Sequence, residues 1–125
     1  MSHPNIVKTI FYEETHKAEI NNKVQVISLI AYELAPYGTL NDLVFNTETT
    51  VNEKLARSLF HQLIAGALHL KKNGISHLDI KLDNICIGEG YKLKYIDFDS
   101  CYIKGDICVI SRGTKNYRAP ELKLQ

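Results

Sequence analysis

The stretch His77-Leu78-Asp79-Ile80-Lys81-Leu82-Asp83-Asn84, followed by Tyr95-Ile96-Asp97-Phe98-Asp99, decides how this chain is read. A carboxylate, a lysine and an amide fall within one short loop, and a second carboxylate, Asp97, comes with the next block. In-line phosphoryl transfer from a magnesium-bound triphosphate needs such a set. It takes a carboxylate for the acceptor hydroxyl, a cation for the moving phosphate and oxygen ligands for the metal. A third block follows, Gly113-Thr114-Lys115-Asn116-Tyr117-Arg118-Ala119-Pro120-Glu121. Taken singly, the parts have plainer readings. His77 alone is a satisfied core histidine, Asp97 a turn residue after a strand, and Asp83-Asn84 an Asx turn. Cys86 is core packing on either view. The three blocks together, in this order, carry the chemical reading.

The bulk properties narrow the setting. At 125 residues the chain holds one domain at most, with enough length to bury a core. A net charge of +1 gives no footprint for nucleic acid or an anionic membrane. The cysteines Cys86, Cys101 and Cys108 are odd in number and form no Cys-x-x-Cys pair. They read as reduced thiols of a cytoplasmic or nuclear protein. The start, Met1-Ser2-His3-Pro4-Asn5, has no apolar signal core, and the apolar-rich run at 24–34 is too short to span a bilayer.

Residues 6–12 are apolar and β-branched, 13–23 polar with Asn21-Asn22 near the end, and 24–33 apolar again. This predicts two antiparallel strands joined by a hairpin loop. Pro36-Tyr37-Gly38 punctuates the chain, and Thr39 is placed to cap a short helix through Val44. Asn52 is placed to cap a long helix to about Lys72. Leu55, Leu59, Leu63, Ala67 and Leu70 form one stripe, and Phe60, Ile64 and Leu68 an adjacent one. Two stripes predict packing against more than one neighbour. Asn73-Gly74 ends the helix, with Gly74 suited to a left-handed backbone. Short strands are expected at 85–87 and 92–96, with Gly88-Glu89-Gly90 as the turn. Residues 98–115 show little periodicity and read as loop.

These blocks and this layout resemble the catalytic core of the eukaryotic protein kinases, over essentially the whole chain. The resemblance implies an α+β fold: residues 1–35 as the end of the small lobe, a β-hairpin and hinge, and 36–125 as the first half of a mostly helical large lobe through the activation segment. Asp79 would then be the base that orients and accepts the acceptor hydroxyl proton, and Lys81 the cation beside the transferring phosphate. A lysine there resembles the Ser/Thr branch. Asn84 and Asp97 would hold Mg. Tyr32 falls at the gatekeeper position, while Glu33, Leu34 and Ala35 fall on the hinge, where backbone groups would bind the adenine of ATP above Cys86. His77 and Phe98 would stack in the hydrophobic column between the lobes, and Thr114 would contact the base and the lysine. Residues 117–121 would shape the acceptor pocket for a protein substrate. Tyr32, Glu33 and Thr114 read equally well as structural residues. The resemblance implies nothing about oligomeric state.

Departures from the family pattern set further expectations. Leu78 stands where most of the family has arginine, which removes the usual cation for a phosphorylated activation loop. Ser100, Tyr102 and Ser111 are the candidate phosphosites, and a parent enzyme is expected not to be switched on by phosphorylation there. Asp99 replaces a glycine whose backbone freedom lets the loop flip, and asparagine or aspartate tolerates a left-handed conformation better than most residues. The sequence contains no Gly-x-Gly-x-x-Gly. The resemblance therefore implies a partial domain: a fragment, a truncated product or an incomplete gene model. The 125-residue chain alone is expected to be inactive, with part of the apolar 52–72 helix left exposed. The alternative is a catalytically inactive pseudokinase or fragment acting as a binding module.

Overall fold

The computed structural model describes residues 2–45, 50–107 and 112–122. Cys108 and Ser111 lie outside them.

Asn21 and Asn22 fix the first element. Both adopt a positive φ, 52° and 59°, the conformation that a two-residue type I′ hairpin turn demands and that asparagine accepts best among residues with a Cβ. Strand β1 (Thr9–Ile20) leads into this turn and β2 (Lys23–Tyr32) leaves it antiparallel. The expected hairpin is present, but its loop is two residues, and the polar stretch through Ile20 is strand. Register shifts at Thr9/Phe11 and Glu13/His16 mark irregularities in β1. No residue of the hairpin is buried, which is why residues 13–20 show no one-sided apolar alternation to read as strand.

Helix α1 (Leu40–Phe45) starts at a reciprocal cap. The Thr39 hydroxyl accepts from the Asp42 N–H at 3.2 Å, and the Asp42 carboxylate accepts from the Thr39 N–H at 2.8 Å. Helix α2 (Glu53–Lys72) starts where the Asn52 side chain accepts from the Leu55 N–H at 2.9 Å. It ends at Gly74, whose φ of 69° reverses the chain. Its inner stripe meets the core: Leu70 is buried, with Leu59 and Leu63 packed against the same cluster. The outer stripe, Phe60, Ile64 and Leu68, is exposed. Gly66 sits mid-helix because the Tyr95 ring lies there; an added Cβ would come within 2.6 Å of it.

The core is built on β4 (Ile85–Gly88) and β5 (Lys92–Tyr95), paired antiparallel. Ile85 opposes Tyr95 and Ile87 opposes Leu93, so their inward side chains form one buried face. The N-terminal segment is sewn to β5: Val7 N–H donates to the Tyr95 carbonyl, Tyr95 N–H to the Asn5 carbonyl, and the Asn5 amide to the Leu93 carbonyl at 2.8 Å. One pairing lies in the stretch expected to be loop. Strand β3 (Ile75–Ser76) pairs with β6 (Tyr102–Ile103), two residues each, too short for any periodicity. No helix among the described residues is long and apolar enough to cross a membrane.

Candidate active site

Between α2 and β4 the chain makes a loop that uses polar side chains where a core would use apolar ones. Asp79 and Asn84 are both buried, and they are hydrogen-bonded to each other. Asn84 Nδ2 donates to the Asp79 carbonyl and to Asp79 Oδ2, each at 2.9 Å. That turns the amide nitrogen toward Asp79 and leaves the amide oxygen on the other side. Lys81 Nζ lies 3.2 Å from Asp79 Oδ2 and donates to the Thr114 hydroxyl at 2.8 Å. The Thr114 N–H donates to Asp79 Oδ1 at 2.7 Å. Four of the sequence-derived residues, Asp79, Lys81, Asn84 and Thr114, therefore form one hydrogen-bonded group.

Two opposing influences act on Asp79. Burial pushes its carboxyl up. The hydroxyl and N–H of Thr114, then the hydrogen bond and charge of Lys81, outweigh this and hold it at about 2. It is ionised at neutral pH and accepts hydrogen bonds on both oxygens.

Asp97 is tied in through the backbone. Ile96 N–H donates to the Asn84 carbonyl at 3.1 Å, which sets Asp97 one residue beyond Asn84's partner. The Asp97 carboxylate is exposed, and its backbone is at φ 60°. The left-handed residue of this block is thus Asp97. Asp99 has no positive φ; it lies inside the turn closed by Cys101 N–H on the Phe98 carbonyl at 2.9 Å. Position 99, expected to need backbone freedom, therefore demands no left-handed conformation here. His77 packs on Phe98 with centroids 4.8 Å apart, and its Nε2 shares a hydrogen bond with the Ile96 carbonyl at 2.9 Å. Phe98 also lines a cavity of about 470 Å³ with Ile6, Val7 and Tyr32, which joins the foot of the hairpin to this block.

The residues expected on the hinge stand apart from that group. The Glu33 carboxylate accepts from Lys94 Nζ at 2.7 Å and from the Lys8 N–H at 2.8 Å. Those contacts are structural; its carboxyl is held below the ordinary value, chiefly by the Lys94 hydrogen bond. Ala35 is half-buried. Beyond it, Tyr37 N–H donates to the Ile87 carbonyl and Ile87 N–H to the Gly38 carbonyl, so this segment runs along β4. The Cys86 backbone pairs with that of Thr39 there, and its free thiol has its pKa raised, by burial first and then by Asp42. Lys94 is the residue that sequence reasoning missed. It sits between buried Leu93 and Tyr95 on the alternate register of β5, which reads as solvent-facing, yet its side chain is 12% exposed. The stack of His3 on His69, centroids 4.6 Å apart, also had no sequence signal.

Among the described residues no three His, Cys, Asp or Glu side chains are grouped to hold a metal ion. Magnesium asks for less: one or two protein oxygens, with phosphates and water filling the remaining positions. The Asn84 amide oxygen and the Asp97 carboxylate are hard oxygen donors of that type.

A profile of the protein kinase domain matches residues 1–123. The chain belongs to the protein kinase family. It is 34% identical over 130 residues to the probable serine/threonine-protein kinase fhkE of Dictyostelium discoideum, covering 98% of this chain and 17% of that protein. It is 31% identical over 137 residues to the serine/threonine-protein kinase ppk8 of Schizosaccharomyces pombe, covering 100% of this chain and 23% of that one. The chain thus spans less than a quarter of either relative. Among solved structures, the yeast RNA Pol II CTD kinase CTDK-1 complex aligns with a TM-score of 0.77 and 29% identity, over 98% of this chain and 38% of that one. The expected kinase-like α+β fold is the fold of this chain.

Proposed function

We propose that the protein carrying this segment transfers the γ-phosphate of Mg-ATP to serine or threonine hydroxyls of protein substrates. The observation that supports this most is the group formed by Asp79, Lys81 and Thr114. It presents an ionised carboxylate and an ammonium side by side, each fixed by partners before any substrate arrives.

Asp79 accepts the hydrogen bond of the incoming hydroxyl and aims its oxygen. A carboxyl held at about 2 is a weak base, so its main work is orientation. The proton passes to it late, as the new O–P bond forms and the γ-anhydride electrons depart on ADP. Lys81 lies beside Asp79 and offsets charge on the moving phosphate as a point cation. Asn84 and Asp97 would hold magnesium, which supplies charge neutralisation at the phosphate oxygens. The backbone of Glu33 and Ala35 would hold the adenine edge, with Cys86 as an apolar floor beneath it.

The test is label transfer from γ-labelled ATP to Ser/Thr and Tyr peptide pools by the protein that carries this segment. Transfer to Ser/Thr is expected, falling by roughly 10³-fold or more in Asp79→Asn and in Asp97→Ala. Undiminished transfer in both variants would overturn the assignment. No transfer in any form, with partner capture retained, would favour the binding-module reading.

A further inference from the structure

Two left-handed backbones meet where the segment bearing Thr114 crosses the loop bearing Asp79. Leu78 has φ 64° and Gly113 has φ 82°. A Cβ added to Gly113 would run into the Leu78 carbonyl oxygen, with the carbonyl carbon at 3.2 Å and Asp79 Oδ1 at 3.6 Å. The obstructing atoms are backbone and cannot rotate aside. The Gly113 carbonyl, in turn, accepts from Arg118 Nε at 2.8 Å, which holds this peptide unit from its other end. The next N–H along the chain is that of Thr114, the donor to Asp79 Oδ1.

We propose that Gly113 is a positioning residue. Its bare Cα lets the two backbones touch, and that contact seats the Thr114 N–H on the Asp79 carboxylate. The proposal deepens the reading of Asp79 given above and rests on it for its bearing on phosphoryl transfer. Any side chain at position 113 lifts the segment from the loop. Asp79 Oδ1 then loses its 2.7 Å donor, and Lys81 loses its tether to the Thr114 hydroxyl. The carboxylate is freed to rotate, which spreads the approach angles of an acceptor hydroxyl.

Gly90 provides the control. It too has a positive φ, 64°, but an added Cβ there meets nothing within 4 Å. Alanine at 90 imposes left-handed strain alone, whereas alanine at 113 imposes strain and collision. The difference between the two isolates the close approach.

The experiment is amide hydrogen exchange by NMR on the 125-residue chain, with no nucleotide, for wild type, Gly113→Ala, Gly90→Ala and Asp79→Asn. Each Thr114 rate is normalised to the buried strand amide of Leu93. In wild type Thr114 is expected to be protected. In Gly113→Ala that protection falls roughly tenfold or more, the worth of a hydrogen bond to a charged acceptor, and by at least as much as in Asp79→Asn, whose amide oxygen can still accept. In Gly90→Ala the ratio is unchanged. An unchanged ratio in Gly113→Ala, or an equal loss in Gly90→Ala, overturns the proposal. If Gly113→Ala does not fold, the wild-type spectrum decides: cross-peaks from the Gly113 Hα protons to Leu78 or Asp79 protons are expected, and their absence overturns it. Because ATP is not involved, intact Thr114 protection here together with no phosphate transfer by the longer protein that carries this segment would sink the kinase mechanism and leave this geometry standing.

Discussion

The hairpin of β1 and β2 is paired strand along most of its length, and the loop at 77–84 is largely irregular. Burial runs the other way. No residue of the hairpin is buried, while the loop buries His77, Asp79 and Asn84. Backbone hydrogen bonds and one asparagine turn hold the hairpin. Side-chain hydrogen bonds to fixed partners hold the loop. Regular secondary structure and a position fixed by partners are thus separate properties, and the candidate site lies where the second holds without the first.

That contrast can be broken by substitution. The largest difference is expected between Leu93→Ala, at a fully buried position, and Val24→Ala, at 74% exposure. The first should cost about 2–5 kcal/mol through the cavity it leaves, and the second within about 0.5 kcal/mol, read from urea midpoints. Comparable losses would mean that the hairpin is packed against something in solution.

Next comes Asp79. Asp79→Asn removes the charge that Lys81 and Thr114 share and should cost about 1.5–3 kcal/mol by the same measurement. The wild-type contribution also has a pH signature. Asp79 is lowered from 3.8 to about 2, so its stabilisation is complete above the unfolded value and is lost as pH falls from 3.8 toward 2. Acid titration of wild type and Asp79→Asn should show stability curves that converge across this window. Parallel curves would show that the carboxylate is not held down.

A smaller effect is expected at the cap of α2. Asn52→Ala leaves the Leu55 N–H without its acceptor and should cost about 1 kcal/mol in thermal or urea unfolding, with Asn52→Ser recovering most of it. The smallest effect is a gain. Asn22→Gly supplies the preferred second residue of a type I′ turn and should stabilise the hairpin by a few tenths of a kcal/mol, seen as slower exchange of the amides paired across Ile20 and Lys23. A loss there would mean that Asn22 has a side-chain role beyond its backbone angle.

What could be read in the sequence follows the same division. Helix α2 was legible from cap to cap because its signals are local: Asn52 ahead, Gly74 behind, leucines at helical spacing between them. Strands β4 and β5 were legible by their short apolar runs, and the fold class by the joint motifs. The group of Asp79, Lys81, Asn84 and Thr114 was named from the sequence, and the structure brings these four together. The far half of β1 was hidden because a strand open on both faces needs no alternation. The pairing of β3 with β6 was hidden by its two-residue length. Lys94 was hidden because a lysine's partner is a matter of distance in space, and Glu33 is remote from it in the chain.

The glycine in the middle of α2 carries a consequence for the order in which the chain assembles. A helix with Gly66 at its centre and Phe60, Ile64 and Leu68 in water nucleates poorly by itself. The Tyr95 ring fills the groove that Gly66 leaves, and its hydroxyl donates to the Leu63 carbonyl at 3.0 Å. During synthesis that ring leaves the ribosome well after the helix has been made. A nascent chain ending before Tyr95 should therefore hold 53–72 only as a fraying helix with an open groove.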